Sequence, residues 1–554
     1  MKVRIIGLPE GEIIKEYPEK LKAELILREV EDQLPYPAYG CRIDNAYRGL
    51  LHVVYHDCTL EFLDIRCQAM WLVYQSSLVM LYIKAVHDVS GKKVQVTVNN
   101  SLSKGLFTVI KNNSKPDEET ISRIDRQMRK LVEQDLPIIK RHLNRQEITA
   151  LTEELKQKET GNLIASIPSL NHVEIYSLED ETQIFYNFLV PSTGYLKYFE
   201  LRPYKNGILL RYPHQSDPLK IPEYEDQKLL YDAFSEATKW GKLMGIKYVD
   251  DLNNRILNKQ TEDMYLMQEA LHEKKIANIA DDIAKSRKRI VLICGPSSSG
   301  KTTFAKRLCI QLNVLGIKTL YMGTDDYFVE REDSPIGPDG EKDFESIKAV
   351  DTRLFVRQMK ELLDGKTVDL PVFDFISGTK IYGQRITSIA KDQVIVIEGI
   401  HALNRTLTEG IDEKEKFKIY ISPFTPISVD RHNRISTTDC RLLRRLVRDY
   451  QFRDWPVART LASWPKVRSG EDQNIFPYHG EAKVFFNSNC IYELAVLKKY
   501  VEPLLKEVTR SEPEYAEAQR LLEFFRYIEP VEDDDAIANN SIIREFIGGS
   551  VIVH

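Results

Sequence analysis

Hydrophobic and polar positions follow different patterns along the 554 residues, and the changes divide the chain into successive stretches. In residues 1–65, short apolar runs such as 50–55 predict strands and a small β-rich unit. Residues 66–240 combine apolar stretches at helical spacing, around 71–87 and 117–134, with further strand-like runs. We therefore expect a small β domain followed by an α+β domain in the first half of the chain.

The second half has a different pattern. Residues 241–287 carry apolar side chains at helical spacing in a polar stretch, which predicts a connecting helix or helix pair. From 288 to 510, strand-like and helix-like segments alternate, which is typical of a parallel α/β sheet. Residues 511–554 form a tail that could dock on the protein or on a neighbouring subunit, or stay frayed. The expected fold class is multidomain α/β.

Composition and charge narrow the class of protein. Hydrophobic residues make up 43% of the chain, charged residues make up 29%, and the formal net charge is −5, so no overall basic excess supports non-specific nucleic-acid binding. The seven cysteines have no C-x-x-C spacing, which suits a reducing cytosol. The start of the chain lacks the apolar region of a signal peptide, and the apolar stretch 70–86 contains polar residues. We expect a soluble, cytoplasmic protein with no membrane span.

Candidate chemistry begins at a glycine-rich loop between a strand-like run and a helix-like run. The loop has the form G-x-x-x-x-G-K-[ST] and consists of Gly295, Pro296, Ser297, Ser298, Ser299, Gly300, Lys301 and Thr302, with Thr303 next in the helix. In this context, loop N–H groups and the helix N-terminus hold phosphates, Lys301 reaches the β- and γ-phosphates, and Thr302 offers a hydroxyl to Mg²⁺. The pattern predicts a site for a nucleoside triphosphate; a chance Gly/Ser turn is the alternative.

Two carboxylates follow predicted strands of the same sheet. Asp325 comes after the strand-like run 318–322, and Glu398 follows the apolar run 393–397. The carboxyl ends of parallel strands face the ligand crevice. Asp325 could accept a proton from an attacking hydroxyl or help to organise Mg²⁺, and Glu398 has a Walker-B-like position for holding Mg²⁺. A turn or helix-capping role is the alternative for Asp325.

Four arginines recur further along the chain at helical spacing. Arg441, Arg444, Arg445 and Arg448 follow an i, i+3, i+4, i+7 pattern, which predicts one basic helical face. Such a face could clamp phosphates as charge spreads in the transition state. A solvated basic face is the alternative. Because a phosphate-binding loop and two strand-end acids precede these arginines, we interpret the helix as a lid.

These motifs make residues 288–510 resemble the uridine kinase/phosphoribulokinase family. The resemblance is carried by GPSSSGKT, by TDDYF with Asp325, and by DFES (343–346), PVFDF (371–375), IEG (397–399) and RLLRRLVRD (441–449). It implies ATP and Mg²⁺ as cofactors, with Asp325 as general base and Mg²⁺ near Thr302 and Glu398. It also implies catalytic roles for Lys301, Arg444, Arg445 and Arg448, and substrate contacts from Glu345, Phe373, Asp374, Arg441 and Arg453.

The departures from the family pattern cluster where a nucleobase would be recognised. Glu345 replaces an Asp, Phe373 replaces a Tyr, Gly378 replaces a His, and Trp455 stands where an Arg is usual. Hydrogen-bonding groups dominate discrimination of this kind. The sequence therefore predicts a kinase acting on the 5′-hydroxyl of a nucleoside, and leaves open another sugar or a sugar phosphate as acceptor.

The first half of the chain resembles two modules of threonyl-tRNA synthetases. Residues 1–65 resemble the ubiquitin-like β-grasp TGS domain, through 45–50 and 60–64, and residues 66–240 resemble the second additional (editing) domain, through 101–106, 190–194 and 199–201. The four metal-ligand positions of that editing site hold Tyr74, Leu78, Phe185 and Leu189, none of which is a zinc ligand. Editing and metal binding are therefore not expected there. The module could regulate the kinase, bind RNA or mediate homo-oligomer assembly, and an RNA-binding regulator with an ATP switch is the alternative to the kinase.

Overall fold

A computed structural model describes residues 1–111, 116–168, 170, 172–337 and 340–553. The first unit contains β1 (Lys2–Leu8), β2 (Gly11–Glu16), β3 (Leu21–Lys22), α1 (Ala23–Leu27), β4 (Gly40–Ile43), β5 (Ala46–Arg48), β6 (Val53–Val54) and β7 (Cys58–Leu63). Its main sheet has the order β2-β1-β7-β4-β5, in which β1 and β7 run parallel. The predicted strand 50–55 is reduced to β6, because the carbonyls of Leu50 and His52 accept N–H groups at the start of α1.

The second unit is built around one long buried helix. Its elements are α2 (Gln68–Ser90), β8 (Gln95–Leu102), β9 (Gly105–Lys111), α3 (Glu118–Glu133), β10 (Ile139–Asn144), α4 (Arg145–Glu154), α5 (Lys158–Ser166), β11 (His172–Leu178), β12 (Glu181–Ile184), β13 (Glu200–Tyr204) and β14 (Gly207–Arg211). The strands form two antiparallel sheets, β13-β14-β9-β8 and β10-β11-β12. The predicted helices near 71–87 and 117–134 are confirmed as α2 and α3. Within the described residues, α2 is the one helix with the length and apolarity of a membrane span, and 83% of that stretch is buried in the protein.

Three helices connect the two halves of the chain: α6 (Lys228–Met244), α7 (Val249–Leu257) and α8 (Glu262–Ser286). The boundary expected at residue 240 falls inside α6. The ring of Phe234 on α6 lies 5.0 Å from that of Phe424 in the C-terminal half. Ile276, Ile279 and Ile283 of α8 are buried in the core of the C-terminal sheet. The connector is therefore packed against the C-terminal unit.

The C-terminal unit is a parallel α/β sheet. Its elements are β15 (Ile290–Cys294), α9 (Lys301–Val314), β16 (Thr319–Gly323), α10 (Thr352–Leu363), β17 (Val368–Asp374), β18 (Thr379–Thr387), β19 (Val394–Glu398), β20 (Lys416–Ser422), α11 (Thr437–Arg453), α12 (Val457–Asn474), β21 (Val484–Asn487), α13 (Glu493–Lys506), α14 (Tyr515–Phe525) and α15 (Arg544–Ile547). The strand order is β16-β19-β15-β20-β21, and every pair is parallel. The expected parallel sheet is confirmed, and all five residues of β15 at its centre are buried.

Candidate active site

The glycine-rich loop connects β15 to α9 at the carboxyl edge of the sheet. Gly300 has a φ of +81°, a left-handed conformation in which a side chain would be strained. Among the described residues, the backbone N–H groups of Gly300, Lys301 and Thr302 donate to no protein acceptor. The hydroxyls of Ser298 and Ser299 are buried there without a hydrogen-bond partner. Unpaired donors at the N-terminus of a helix suit a phosphate ligand.

A hydroxyl and a carboxylate meet beside this loop. The Thr302 hydroxyl donates to Oε1 of Glu398 over 2.9 Å, and the Tyr321 hydroxyl donates to the same oxygen over 3.2 Å. The parallel register brings Glu398 beside Ile293 at the end of β15. Burial raises the pKa of Glu398, whereas the charge of Lys301 lowers it. The Thr302 hydroxyl and the Glu398 carboxylate offer oxygen atoms, the type of ligand that Mg²⁺ prefers, so these two residues fit the expected metal.

Asp325 lies on a short 3₁₀ turn, Thr324–Tyr327, directly after β16. Burial raises the pKa of its carboxyl, and the charges of Lys301 and Arg453 oppose the shift. The neighbouring Asp326 has a different environment, since it pairs with Arg385 at 2.8 Å. Although neighbouring atoms partly desolvate the carboxyl, the residue keeps solvent-accessible surface. Of the two adjacent acids, Asp325 is therefore the one placed to meet a ligand.

Glu345 joins the same electrostatic cluster from a distant part of the chain. Its side chain packs on α12, where a Cβ added to Gly470 would lie 2.4 Å from the Cβ of Glu345. Burial raises the pKa of Glu345 to about 7; the charges of Glu471 and Asp325 act in the same direction. The loop, Asp325 and Glu345 thus lie around one crevice.

Two of the arginines on α11 form ion pairs in the interior of the protein. Nη2 of Arg441 lies 2.6 Å from Oε2 of Glu471, and Nη2 of Arg444 lies 2.5 Å from Oε2 of Glu493. All four side chains are almost completely buried. A buried guanidinium needs a carboxylate to offset its lost hydration. The α11 arginines therefore do not form the single ligand-facing surface that their spacing predicts.

The remaining arginines lie closer to the loop and the crevice. Nη1 of Arg445 donates to the Ser297 hydroxyl over 2.9 Å. Arg448 and Arg453 both pair with Asp449, at 2.8 and 3.4 Å. Arg453 is 47% exposed and its charge acts on Asp325. Phosphate contacts from Arg445, Arg448 and Arg453 stay predictions.

Glu471 is a functional candidate that sequence reasoning missed. Its carboxylate pairs with Arg441 and Arg468, and it also accepts the backbone N–H of Ser297 over 3.2 Å. Glu471 therefore ties α11 and α12 to the phosphate-binding loop. No local motif marks it, because a single glutamate within a helical stretch has no distinguishing pattern.

An aromatic cluster lies next to the crevice. The ring of Phe373 is 5.6 Å from that of Phe328 and 5.2 Å from that of Phe375, and Phe344 lies 6.4 Å from Phe328. Asp374, in contrast, accepts the N–H of Ile376 over 2.9 Å, and backbone hydrogen bonds of this kind lower the pKa of its carboxyl. The structure thus puts Phe373 in an apolar wall and uses Asp374 to hold the turn between β17 and β18.

Gly378 stands in that turn with a φ of +75°. A Cβ at this position would lie 2.6 Å from the Cβ of Arg331. The guanidinium of Arg331 donates to the carbonyls of Phe375 and Ile376, so it lies over the turn. The space next to the missing His is therefore filled by an arginine, which the sequence did not predict.

The C-terminal tail reaches the phosphate-binding loop. Oε2 of Glu545 accepts the backbone N–H of Thr303 over 3.1 Å and its hydroxyl over 2.6 Å. A methyl of Ile542 lies 2.6 Å from the position that a Cβ of Gly300 would take. The tail therefore docks on the body of the protein, and a carboxylate occupies part of the N-terminus of α9.

A parallel sheet with this loop and these strand-end carboxylates defines the class of P-loop phosphotransferases. Residues 290–491 match the phosphoribulokinase/uridine kinase family. Uridine kinase of Staphylococcus aureus is 30% identical over 191 residues, which cover 34% of this chain and 82% of that protein. Uridine kinase of Ligilactobacillus salivarius is 29% identical over 164 residues, 30% of this chain and 68% of that protein. The chain belongs to the phosphoribulokinase/uridine kinase family.

Two solved structures are also similar. A structure titled as a possible uridine kinase from Bacillus stearothermophilus has 20% sequence identity and a TM-score of 0.25, covering 36% of this chain and 89% of its own. D-glycerate 3-kinase from Cryptococcus neoformans has 16% sequence identity and a TM-score of 0.20, and the match covers 50% of this chain and 89% of that chain.

The family membership confirms the expected kinase domain, and the family implies ATP and usually Mg²⁺. The match begins at residue 290, so the TGS and editing-like resemblances of residues 1–240 stay predictions. The domain bounds, the individual roles of the site residues, the cytoplasmic location, RNA binding and homo-oligomer formation also stay predictions.

Proposed function

We propose that this chain is an ATP- and Mg²⁺-dependent kinase that transfers the γ-phosphate to the 5′-hydroxyl of a nucleoside. The observation that carries the proposal is the convergence of three groups in one crevice. These are the unpaired N–H groups of the loop, the hydrogen-bonded pair Thr302–Glu398, and the carboxylate of Asp325, a residue with solvent-accessible surface.

The loop side of the crevice suits the triphosphate. The N–H groups of Gly300, Lys301 and Thr302 would donate to phosphate oxygens, and the ammonium of Lys301 would turn from the Pro296 carbonyl, 3.1 Å away, toward the β- and γ-phosphates. Thr302 and Glu398 would hold Mg²⁺, which supplies positive charge to the phosphates when bound.

Asp325 has the environment of a general base. A raised pKa brings a carboxylate closer to the operating pH and makes it a better proton acceptor. In the proposed reaction, Asp325 accepts the proton of the acceptor hydroxyl as its oxygen attacks the γ-phosphorus and the bond to the β-phosphate oxygen breaks. Arg445, Arg448 and Arg453 would stabilise the charge that spreads over the transferring group.

The aromatic cluster supports a nucleoside as acceptor. Phe328, Phe344, Phe373 and Phe375 offer apolar surface on which a planar base can pack. A second candidate is a sugar phosphate, favoured by Arg331. Its guanidinium is exposed and hydrogen-bonds backbone carbonyls, so its charge can also attract an anionic acceptor.

The test measures ADP release with ATP and Mg²⁺ across ribo- and deoxyribonucleosides, pentoses and pentose phosphates. We expect stimulation by a nucleoside, with stimulation by pentose phosphates supporting the second candidate. Asp325→Asn should lower turnover by about 10²–10⁴-fold and leave ATP binding nearly intact. Lys301→Ala should lose both turnover and ATP affinity.

The matched control is Asp392→Asn, which makes the same chemical change on an exposed turn. Its turnover should equal that of the wild type. Wild-type turnover in Asp325→Asn would remove the proposed base, and stimulation by no acceptor would refute the kinase proposal.

A further inference from the structure

A large cavity lies between the N-terminal half and the kinase domain. Its volume is about 930 Å³, and its walls come from α2, β10, β11, the segment 429–436 and α14. Sites for small molecules typically measure ~300–1,000 Å³. The phosphate-binding loop contributes nothing to these walls among the described residues. The cavity is therefore separate from the candidate active site.

The charges lining the cavity do not balance. Among the residues that the structure describes, five cationic side chains line it: Arg48, Lys140, Arg434, Arg520 and Arg526. Three carboxylates line it, and each is paired with one of these cations: Glu174 with Lys140 at 2.5 Å, Asp439 with Arg520 at 2.8 Å, and Glu523 with Arg526 at 2.7 Å. Arg48 and Arg434 are left over. Within the described lining, the cavity carries two positive charges that no carboxylate pairs with.

Arg434 is the more unusual of the two. Within the described part of the chain, its guanidinium has no hydrogen bond and no ion pair. Burial lowers the pKa of this guanidinium, which reflects its lost hydration. Gln75 lines the same cavity at 5% exposure, and its amide lies beside the Tyr212 hydroxyl. Arg434 is half-buried, and a partly desolvated guanidinium without a carboxylate partner is costly, so an anion in the cavity would stabilise it.

The rest of the wall combines aliphatic with aromatic side chains. Its aromatic members include Tyr47, Tyr176, Phe188, Tyr515, Phe524 and Tyr527. Such side chains favour a ligand with an apolar or planar body. We propose that this cavity binds a phosphorylated small molecule of nucleotide size, with its phosphate on Arg434 and its planar part against the aromatic wall.

The cavity is joined to the arginine-bearing helix of the kinase. The segment 429–436 leads directly into α11, whose N-cap is the lining residue Ser436. Asp439, in the first turn of α11, is bound by Arg520 of α14. A ligand in the cavity would therefore contact the base of the helix that carries Arg445. This coupling rests on the proposed kinase function, whereas binding itself does not.

Hydrogen–deuterium exchange on the full-length protein tests the proposal. The protein is saturated with the ATP analogue AMP-PNP and Mg²⁺ and then titrated with UTP or, separately, with uridine. UTP should slow exchange in residues 172–178 and 429–436, and uridine should not, because it lacks the phosphates. Arg434→Gln should weaken this UTP effect at least tenfold. Protection of residues 295–303 by AMP-PNP should stay unchanged.

Arg353→Gln is the matched control, since Arg353 is exposed on α10 far from the cavity lining. UTP should slow hydrogen exchange in Arg353→Gln as much as in the wild type. Arg48→Gln removes the second cation that has no lining carboxylate, and it should also weaken the UTP effect. This variant replaces Arg434→Gln in the test if Arg434→Gln does not fold. Protection by UTP confined to the kinase crevice, or equal in wild type and Arg434→Gln, would overturn the proposal. So would protection by a short single-stranded RNA but not by UTP. A failed kinase assay would leave these outcomes unaffected.

Discussion

Glu545 is predicted to weaken nucleotide binding, because its carboxylate holds two donors of Thr303 at the N-terminus of α9. A phosphate bound at this helix terminus meets the same N–H group and the same positive end of the helix dipole. A charge-assisted hydrogen bond at such a place contributes about 1–2 kcal/mol. Glu545→Ala removes the competitor completely, which corresponds to about 5–30-fold tighter nucleotide binding.

Glu545→Gln separates charge from hydrogen bonding. Its amide oxygen can still accept from Thr303, so only the charge contribution, about 1 kcal/mol or about fivefold in affinity, is lost. Calorimetric titration of the full-length protein with AMP-PNP and Mg²⁺ at low salt measures both variants. The difference from the wild type should shrink as salt is added, since exposed parts of the interaction are screened.

The matched control is Glu532→Gln, an exposed residue of the same tail that carries the same charge change. Its affinity should equal that of the wild type. If Glu545→Ala bound AMP-PNP no more tightly than the wild type, competition between the carboxylate and phosphate would be refuted. Weaker binding would indicate that the tail contributes to the nucleotide site.

Three further predictions concern stability. The folded pKa of Glu345 is about 7 and its ordinary value is 4.5, so the stability of the wild type should fall as the pH rises from 4.5 through 7. Glu345→Gln should reduce this fall in Tm with pH. An unchanged dependence of Tm on pH would contradict the raised pKa of Glu345. Glu471→Gln leaves Arg441 buried without its carboxylate, so the free energy of unfolding measured by chemical denaturation should fall by about 3–5 kcal/mol. A fall below about 1 kcal/mol would argue against a stabilising role for this ion pair. Gly378→Ala forces a left-handed residue against Arg331 and should cost about 1–3 kcal/mol, whereas an unchanged Tm would show that the turn adapts.

Local patterns explain which parts of the site could be predicted from the sequence. The phosphate-binding loop lies within eight consecutive residues, and the acids at 325 and 398 lie at or just after the ends of strand-like runs, so spacing alone locates them. The parallel sheet follows from the alternation of strands and helices in the same way.

Contacts between distant residues explain the rest. Glu545 is 242 positions from Thr303, and Glu493 is 49 positions from Arg444, so no window of sequence contains both partners. Helical spacing correctly puts the arginines on α11, but it cannot tell a solvated guanidinium from one that faces a buried carboxylate. A distant contact also explains the segment 50–55, whose pattern predicts a full strand. Two of its backbone carbonyls instead accept N–H groups at the start of α1.

The core of the C-terminal sheet includes side chains from both flanking segments. Leu163, Ile276, Ile543 and Phe546 come from outside residues 288–510, yet each is completely buried in the same cluster as Val291. Residues 288–510 therefore do not enclose the whole of their own hydrophobic core. Cutting the chain at the borders of the family match would expose an apolar surface that its neighbours now cover. The flanking segments belong to the same folding unit as the sheet, so a mutation in them can destabilise the candidate active site without contacting its ligand.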